Sequence, residues 1–481
     1  MAEQEPLLNK ANGGDTFSRT STRTAYDDAA SITATVRPTK SSSTNIKTND
    51  DKDVWKLPIS QRSSKGPILN RLLVIPTFLL GLLAIFFIQV PVYPLWPLMR
   101  VFGDKSWVGK VYNWDVEFTK QLFGMLLIMT FSLFSPTSIT ITTPSSGATS
   151  LPLSSLVVRD PRTGEPVGLN LPKNLIIMSN HQSYLDWMVI WFMGYISVVP
   201  AQAADGLEAA GGEASWKEQG HGARSIIIIL KKQLKKLPIA GWGMQFYRFI
   251  FLSRSWAEDQ KNLTEALSDL STRGRNRPES GLWLTIFPEG TITSDEERAK
   301  SRRFSEREGI PDLINLLQPR TTGMLFCLRT LVPQIPDLRI LDLTIGYPGV
   351  PRGGYAQEWY GLKSVFMLGV PPPTIHVHLR MIDPTDGSVP GVLSTDTIST
   401  TASDDTTTEG KHQPALPGLA SDEEAKAFGE WMRGRWADKE TLMDGFTAAN
   451  WEGFHDTNNG EAGNKEGLYG EGSVEFPIKL S

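Results

Sequence analysis

The residues best suited to chemistry lie in the stretch 180–186, which contains one histidine and one aspartate. A neutral imidazole on His181 could remove the proton of a hydroxyl group, while the carboxylate of Asp186 fixes the ring tautomer and stabilises the imidazolium. We interpret the two residues as a pair that could catalyse acyl transfer to an alcohol. This transfer needs no nucleophilic serine or cysteine, because the hydroxyl of the acceptor attacks directly. The same two residues could instead be polar groups of a turn or a helix cap.

The spacing of His181 and Asp186 restricts how the two side chains can meet. Five residues along a regular helix rotate a side chain by roughly 140°, so the pair would not share one helical face. An apolar run at 175–178 predicts a buried strand directly before the histidine. We therefore expect His181 in a strand-to-helix turn and Asp186 in the first turns of the following helix.

A second apolar run, at 282–287, ends in a further group of polar residues. Pro288 should stop the strand, and Gly290 permits backbone torsions that a side chain would forbid. Glu289 could bind an acceptor hydroxyl or headgroup, and Thr291 could support substrate binding. A simple strand-ending turn is the alternative.

Two shorter apolar runs also precede cationic residues. The run at 249–252 predicts a strand followed by Arg254, whose forked guanidinium could clamp a phosphate or form a surface ion pair. The run at 226–230 is a strand or a buried helix, and it precedes Lys231 and three further lysines. These lysines fit a phosphate subsite, a rim beside a lipid surface, or a solvated basic face. Open α/β sheets bind ligands at the carboxyl ends of their strands, so we expect these groups at one edge.

Composition excludes several other classes of protein. The net charge of −4 gives no sign of nucleic-acid binding. The single cysteine, Cys327, excludes an intramolecular disulfide framework, and its apolar surroundings predict a core position rather than a nucleophile. No zinc-ligand spacing occurs, and we interpret His376 and His378 as structural residues on one strand. We expect neither a metal nor a cofactor.

The N-terminal part of the chain divides into a polar tail and an apolar region. Residues 1–66 predict a disordered tail, and residues 67–145 predict membrane-anchoring helices. The stretch 72–90 lacks charge and would span about 28 Å as a helix, close to one hydrocarbon thickness. The stretch 122–134 is too short for a comfortable crossing and predicts a re-entrant helix that pairs with the first. A buried core helix of a soluble protein is the alternative.

The remainder predicts an α/β domain at 150–383 and a C-terminal extension. Residues 384–421 predict a flexible Ser/Thr-rich insertion, residues 422–455 an amphipathic helical segment that includes Trp436, and residues 456–481 a disordered tail. Further strands are predicted at 331–335, 341–347 and 374–379.

Taken together, three blocks resemble the glycerophospholipid acyltransferase superfamily, which includes lysophosphatidic acid acyltransferases. The first is a histidine, four residues and an aspartate, here His181 and Asp186; the second resembles residues 241–254, and the third the Phe-Pro-Glu-Gly-Thr sequence at 287–291. The segments that look like the lysocardiolipin/lysophosphatidylinositol acyltransferase branch are residues 251–256, 300–304 and 318–323. The family also has a fourth, proline-centred block. Two positions could match it, residues 332–333 or residues 347–348, and the sequence does not decide between them.

The resemblance implies an α/β fold: a mixed-sheet acyltransferase core with helices on both faces, preceded by a membrane-embedded N-terminal helix pair. It implies an acyl-CoA-dependent 1-acylglycerol-3-phosphate or lysophospholipid O-acyltransferase, with acyl-CoA as co-substrate. His181 and Asp186 would be catalytic. The substrate-binding residues would be Arg254, Glu289, Gly290, Thr291 and Lys231.

The expected partners are acyl-CoA, a lysophospholipid and the membrane bilayer, with no nucleic acid and no protein partner. The acceptor would be of the lysophosphatidic acid, lysophosphatidylinositol or lysocardiolipin type. The protein would be an integral membrane protein of the endoplasmic reticulum. Two alternatives remain open: a CoA-independent phospholipid transacylase, and a catalytically silent lipid-binding membrane protein.

Overall fold

The computed structural model describes residues 51–63, 65–144, 153–160, 162–198, 221–253, 255–277, 280–391, 420–454 and 472–480. Most of the predicted N-terminal tail, of the insertion at 384–421 and of the C-terminal tail lies outside the described residues. Arg254 also lies outside them.

Two sheets contain all the described strands. The strands are β1 (Ser138–Thr142), β2 (Val157–Arg159), β3 (Pro166–Asn170), β4 (Asn174–Ser179), β5 (Ser197–Val198), β6 (Ile226–Lys231), β7 (Ile250–Leu252), β8 (Leu282–Ile286), β9 (Arg339–Gly346), β10 (Thr374–Ile382) and β11 (Ser473–Pro477). The main sheet has eight strands in the order β11-β1-β10-β9-β4-β8-β6-β7, and β2, β3 and β5 form a small second sheet.

The direction of the strands determines where their polar ends collect. Strands β9, β4, β8, β6 and β7 pair in parallel, so their carboxyl ends meet at one edge of the sheet. Strand β10 is antiparallel to β9, and β1 and β11 continue this mixed half. The edge formed by the five parallel carboxyl ends is called the catalytic edge below.

The helices cover both faces of the sheet. They are α1 (Ile68–Gln89), α2 (Leu95–Phe102), α3 (Trp107–Phe134), α4 (Leu153–Leu156), α5 (Asp186–Tyr195), α6 (His221–Ser225), α7 (Ala240–Phe246), α8 (Trp256–Asn276), α9 (Asp295–Glu308), α10 (Thr322–Leu331), α11 (Ala356–Trp359) and α12 (Asp422–Ala448). One core cluster joins α3 and α5 to Leu175 and Ile177 of β4, and another joins α8, α10 and α12 to Ile176 and Met178. Burial on both faces explains why these strands read as continuous apolar runs.

Helices α1 and α3 form an antiparallel pair. The side-chain amide of Asn70, near the start of α1, donates to the carbonyl of Phe134 at the end of α3, 2.6 Å away. At the other end, Gln89 donates to the Thr119 hydroxyl at 3.4 Å. Both helices are long and apolar enough to cross a membrane by length and composition. Much of the apolar surface of α1 is exposed, with Leu80 70% accessible.

The structure confirms the predicted mixed α/β sheet with helices on both faces, but several boundaries differ. Residues 331–335, predicted as a strand, complete α10 and form a 3-10 turn, because their apolar groups face the helical layer. The sequence predicts a short helix at 122–134, whereas α3 is 28 residues long. Its polar first half also packs on the core.

Two terminal segments also differ from the expected tails. Residues 51–61 contain two 3-10 helices, and Arg62 is buried, donating to the Trp359 carbonyl and the Ser364 hydroxyl. Near the C-terminus, β11 pairs with β1 and buries Val474 and Phe476. Short alternating patterns inside polar sequence carry too little signal to predict such docked segments.

Candidate active site

His181 and Asp186 meet in the geometry that the spacing predicted. Strand β4 ends at Ser179, His181 lies in the following turn, and Asp186 is the first residue of α5. The imidazole Nδ1 lies 2.8 Å from Asp186 Oδ2. The carboxylate is fully buried, whereas 17% of the His181 side chain is exposed. The pair therefore joins a buried anion to a partly accessible base.

The Asp186 carboxylate accepts hydrogen bonds from every side. Oδ2 accepts from the backbone amides of Gln182 at 2.6 Å and Ser183 at 2.9 Å, and Oδ1 accepts from the Tyr347 hydroxyl at 2.6 Å. Since these partners act as donors, the ionised carboxylate is the form that satisfies them. Nδ1 of His181 then carries the proton, and the basic lone pair is on Nε2.

Phe287 fixes the orientation of the imidazole from the neighbouring strand. Its ring stacks on the His181 ring, with centroids 4.3 Å apart and an interplanar angle of 24°. Within the described part of the chain, Nε2 has no hydrogen-bond partner. The ring is thus held by Asp186 and Phe287 while the nitrogen needed for base chemistry stays available.

Glu289 is buried directly beside the histidine. Its Oε1 accepts from the His181 backbone amide at 3.4 Å and from the Trp436 indole at 3.3 Å. Burial raises the pKa of Glu289 to about 8, with Asp186 adding a smaller repulsion. At pH 7 this carboxyl group is therefore largely protonated. Its Oε2 is buried and has no partner among the described residues.

Gly290 and Thr291 complete the turn after β8. Gly290 has a φ of +74°, a conformation that glycine adopts without strain. A Cβ at this position would approach Arg320 Nε to 3.2 Å, so the glycine also makes room for that guanidinium. Among the described residues, the Thr291 hydroxyl donates to the Ile292 carbonyl alone, at 3.5 Å.

Lys231 ends β6 at the catalytic edge and is exposed, but β8 separates its strand from the strand that precedes His181. The structure therefore brings His181, Asp186 and Glu289 into hydrogen-bonded contact, places Gly290 and Thr291 in the adjoining turn, and leaves Lys231 farther along the edge.

Three residues of the site were not assigned to it from the sequence. Tyr347 follows β9, and Trp436 belongs to α12, more than a hundred residues beyond the catalytic motifs. Arg320 lies in the segment 318–323, which resembles the lysocardiolipin/lysophosphatidylinositol acyltransferase branch. Strand order alone could have pointed to Tyr347, because it too follows a strand in an apolar run. Nothing in the sequence links Trp436 to Glu289.

The other chemically notable residues belong to the core. Cys327 is buried, and burial raises the pKa of its thiol to about 12. His376 and His378 lie on β10, where their rings pack against Phe446 and Phe454. Among the described residues, no group of three or more His, Cys, Asp or Glu side chains could hold a metal ion.

Comparisons with known proteins point to an acyltransferase. The family model described as "Acyltransferase" matches residues 212–336. The chain is 28% identical over 354 residues to a 2-acyl-1-lysophosphatidylinositol acyltransferase of Saccharomyces cerevisiae, covering 68% of this chain and 73% of that protein. It is also 31% identical over 218 residues to lysocardiolipin acyltransferase 1 of Danio rerio, covering 45% and 46% of the two chains.

Among solved structures, the 1-acyl-sn-glycerophosphate acyltransferase PlsC of Thermotoga maritima covers 76% of this chain and 98% of its own, with 15% identity and a TM-score of 0.28. The fold is defined by the strand order and directions described above. The family model and the relatives support an acyltransferase of the glycerophospholipid acyltransferase superfamily.

Proposed function

We propose that this protein transfers a fatty acyl group from acyl-CoA to the free hydroxyl of a lysophospholipid at a membrane surface. The observation that carries the proposal is the 2.8 Å bond between His181 Nδ1 and buried Asp186 Oδ2, which leaves Nε2 without a described partner at the catalytic edge. A positioned base of this kind contributes roughly 10²- to 10⁴-fold to a rate.

In the proposed reaction, Nε2 of His181 takes the proton of the acceptor hydroxyl as its oxygen attacks the thioester carbonyl. The new carbon–oxygen bond forms, the carbon–sulfur bond breaks, and the imidazolium returns its proton to the departing thiolate. The products are an ester and coenzyme A with a free thiol. Asp186 stabilises the imidazolium, and Tyr347 and the two backbone amides hold the carboxylate in place.

The acceptor class follows from the names of the relatives, which act on lysophosphatidylinositol and lysocardiolipin. Each would bring a phosphate to the catalytic edge. We assign substrate binding to Arg254, Glu289, Gly290, Thr291 and Lys231. We add Arg320, whose exposed guanidinium lies beside Gly290.

A membrane location is supported by the surface of the N-terminal helix pair. Ile68, Leu80 and Phe87 of α1 are each more than two-thirds exposed, and apolar area of this extent is costly in water. Next to α1, Trp242 is 56% exposed and its ring lies 5.8 Å from that of Phe86. We propose an integral membrane enzyme of the endoplasmic reticulum, involved in phospholipid synthesis or remodelling.

The test is an assay of the purified full-length protein in lipid nanodiscs, with radiolabelled lysophospholipids and either acyl-CoA or diacyl phospholipids as donor. Free thiol released per ester formed should be one to one with acyl-CoA. Phospholipid donors should give no product. Product from phospholipid donors without CoA would make the protein a transacylase, and no transfer from either donor would favour a lipid-binding role.

A further inference from the structure

A second polar cavity lies at the opposite edge of the main sheet from His181. It has a volume of about 200 Å³ and lies where β6 and β8 begin, between α3 and the last turn of α8. Strand β8 has five residues, so the two edges are separated by roughly 17 Å. This cavity, called the basic cavity below, is therefore distinct from the candidate active site.

The lining of the basic cavity is strongly cationic. Its ionisable residues are Lys120, Arg224, Arg273 and Arg277, with Glu117 as the one carboxylate among the described lining residues. Glu117 forms an ion pair with Arg277, whose Nη1 lies 2.8 Å from Glu117 Oε1. The charges of the other three cations therefore lack a described carboxylate at ion-pair distance.

Two of the lining residues donate to neutral oxygens of the described chain. Lys120 is 2% exposed and donates to the Ile226 carbonyl at 2.7 Å. Arg224 donates from Nε to the side-chain oxygen of Gln121 at 3.0 Å. The neutral amide oxygen of Gln121 accepts a hydrogen bond but does not neutralise the charge of Arg224, which leaves a positive potential in the cavity.

Arg273 is the most exceptional member of the cluster. Its Nε is buried and has no hydrogen-bond partner among the described residues. Burial lowers the pKa of Arg273 to about 10, and repulsion from Arg248 acts in the same direction, against weaker attraction from Asp269, Asp104 and Glu117. The guanidinium is still protonated at pH 7, so an unsatisfied buried donor and a full charge coincide in one residue. Such groups are rarely left unpaired in a folded protein.

We propose that the basic cavity binds a phosphate group, held by Arg273, Arg224 and Lys120. A phosphate supplies several acceptor oxygens and matches the forked donors of arginine. The volume accommodates one phosphate group with attached atoms, and Arg224 and Arg273 are not fully buried, so the site is open to a ligand. The source of the phosphate is either free in solution or a phospholipid headgroup, because α3 also belongs to the helix pair proposed to contact the membrane.

The test is titration of inorganic phosphate into the purified full-length protein in a non-ionic detergent, followed by calorimetry at constant ionic strength. Wild-type protein should bind phosphate saturably. Arg273→Met and Arg224→Met should each weaken the affinity roughly 10- to 100-fold, as expected for charge-assisted hydrogen bonds. Arg302→Met, an exposed arginine of α9, is the matched control and should leave the affinity unchanged.

A second arm distinguishes the two sources. Short-chain phosphatidic acid below its micelle concentration should bind with the same dependence on Arg273 and Arg224, also in the His181→Ala protein. Affinity at least 10-fold above that of inorganic phosphate identifies a lipid headgroup, and equal affinity identifies free phosphate. Since binding is measured without acyl transfer, its failure is separate from a failure of the proposed function.

Stability in phosphate-free buffer provides an independent check. Removing an uncompensated buried charge should leave the melting temperature of Arg273→Met equal to or above that of the wild type. Addition of phosphate should raise the melting temperature of the wild type only. Absence of saturable binding at millimolar phosphate, equal binding by Arg273→Met, or a lower melting temperature of this variant without phosphate would each overturn the proposal.

Discussion

The two edges of the main sheet accommodate buried charge in opposite ways. At the catalytic edge, Asp186 has a donor for each oxygen, and its charge is balanced by hydrogen bonds that the fold itself supplies. In the basic cavity, Arg273 has no described acceptor for its Nε. A satisfied carboxylate indicates a group fixed for repeated use in a reaction, whereas an unsatisfied cation indicates a place for an external ligand. The difference separates the proposed catalytic pair, whose charge the fold balances with hydrogen bonds, from the proposed phosphate site, where a buried donor has no described acceptor.

The largest effect should follow replacement of the satisfied carboxylate. Asp186→Asn keeps the shape of the side chain, but its amide group faces the hydrogen-bond donors that surround the carboxylate. The neutral amide also no longer stabilises the imidazolium of His181. We expect the turnover number to fall roughly 10²- to 10⁴-fold. Steady-state kinetics with acyl-CoA measure it. Asp312→Asn, at a surface ion pair on the same chain, is the control. A loss of less than tenfold would mean that the carboxylate only caps the helix.

The second prediction concerns Glu289, the buried acid of the catalytic edge. Its folded-state pKa of about 8 exceeds the ordinary value of 4.5, so the folded protein holds a proton that the unfolded chain releases. Stability should therefore fall by about 1.4 kcal/mol per pH unit as the pH rises from 4.5 towards 8. Glu289→Gln should remove this slope in denaturant unfolding measured across that range. Glu306→Gln, at an exposed ion pair, should leave it intact, and parallel curves for Glu289→Gln and wild type would show that Glu289 is not perturbed.

A smaller effect is expected at Tyr347. Tyr347→Phe removes one of the four described donors to Asp186 and should lower the turnover number about tenfold, in line with a hydrogen bond to a charged group. Because the imidazole contact is retained, the Michaelis constant for acyl-CoA should change little. Tyr355→Phe, whose exposed hydroxyl donates to Asp295, serves as control. A loss as large as that of Asp186→Asn would show that Tyr347 itself contacts the reacting groups.

The smallest effect should come from Gly290. Gly290→Ala forces a side chain into positive φ and brings its Cβ towards Arg320, which should destabilise the fold by about 1 kcal/mol. Thermal unfolding measures this change. Gly434→Ala, on α12 where a Cβ meets nothing within 4 Å, should instead be neutral or stabilising. Equal changes in the thermal stability of the two variants would show that an alanine at position 290 is not strained.

Much of the catalytic edge was predictable because its parts are local in sequence. The run at 175–178 predicts β4, and the spacing of His181 and Asp186 then requires the strand-to-helix turn that the structure contains. The contribution of Trp436 was not predictable, since its indole reaches Glu289 only through the packing of a distant helix. The basic cavity was also missed, because its cations come from α3, α6 and α8 and form no motif in the sequence.

The prediction of the fold was correct where apolar periodicity was strong. It was wrong where a short apolar run fitted either a strand or a helix. Residues 331–335 are apolar enough for a strand, but they continue the buried face of α10. The docking of Arg62 and β11 depends on tertiary contacts that polar sequence does not reveal.

The most direct test of the paired base is a double-mutant cycle on the turnover number with His181→Ala, Asp186→Asn and the double variant. If Asp186 acts only through the imidazole, the double variant should lose no more activity than His181→Ala alone. Losses that multiply would show that the two residues act independently and would contradict the mechanism.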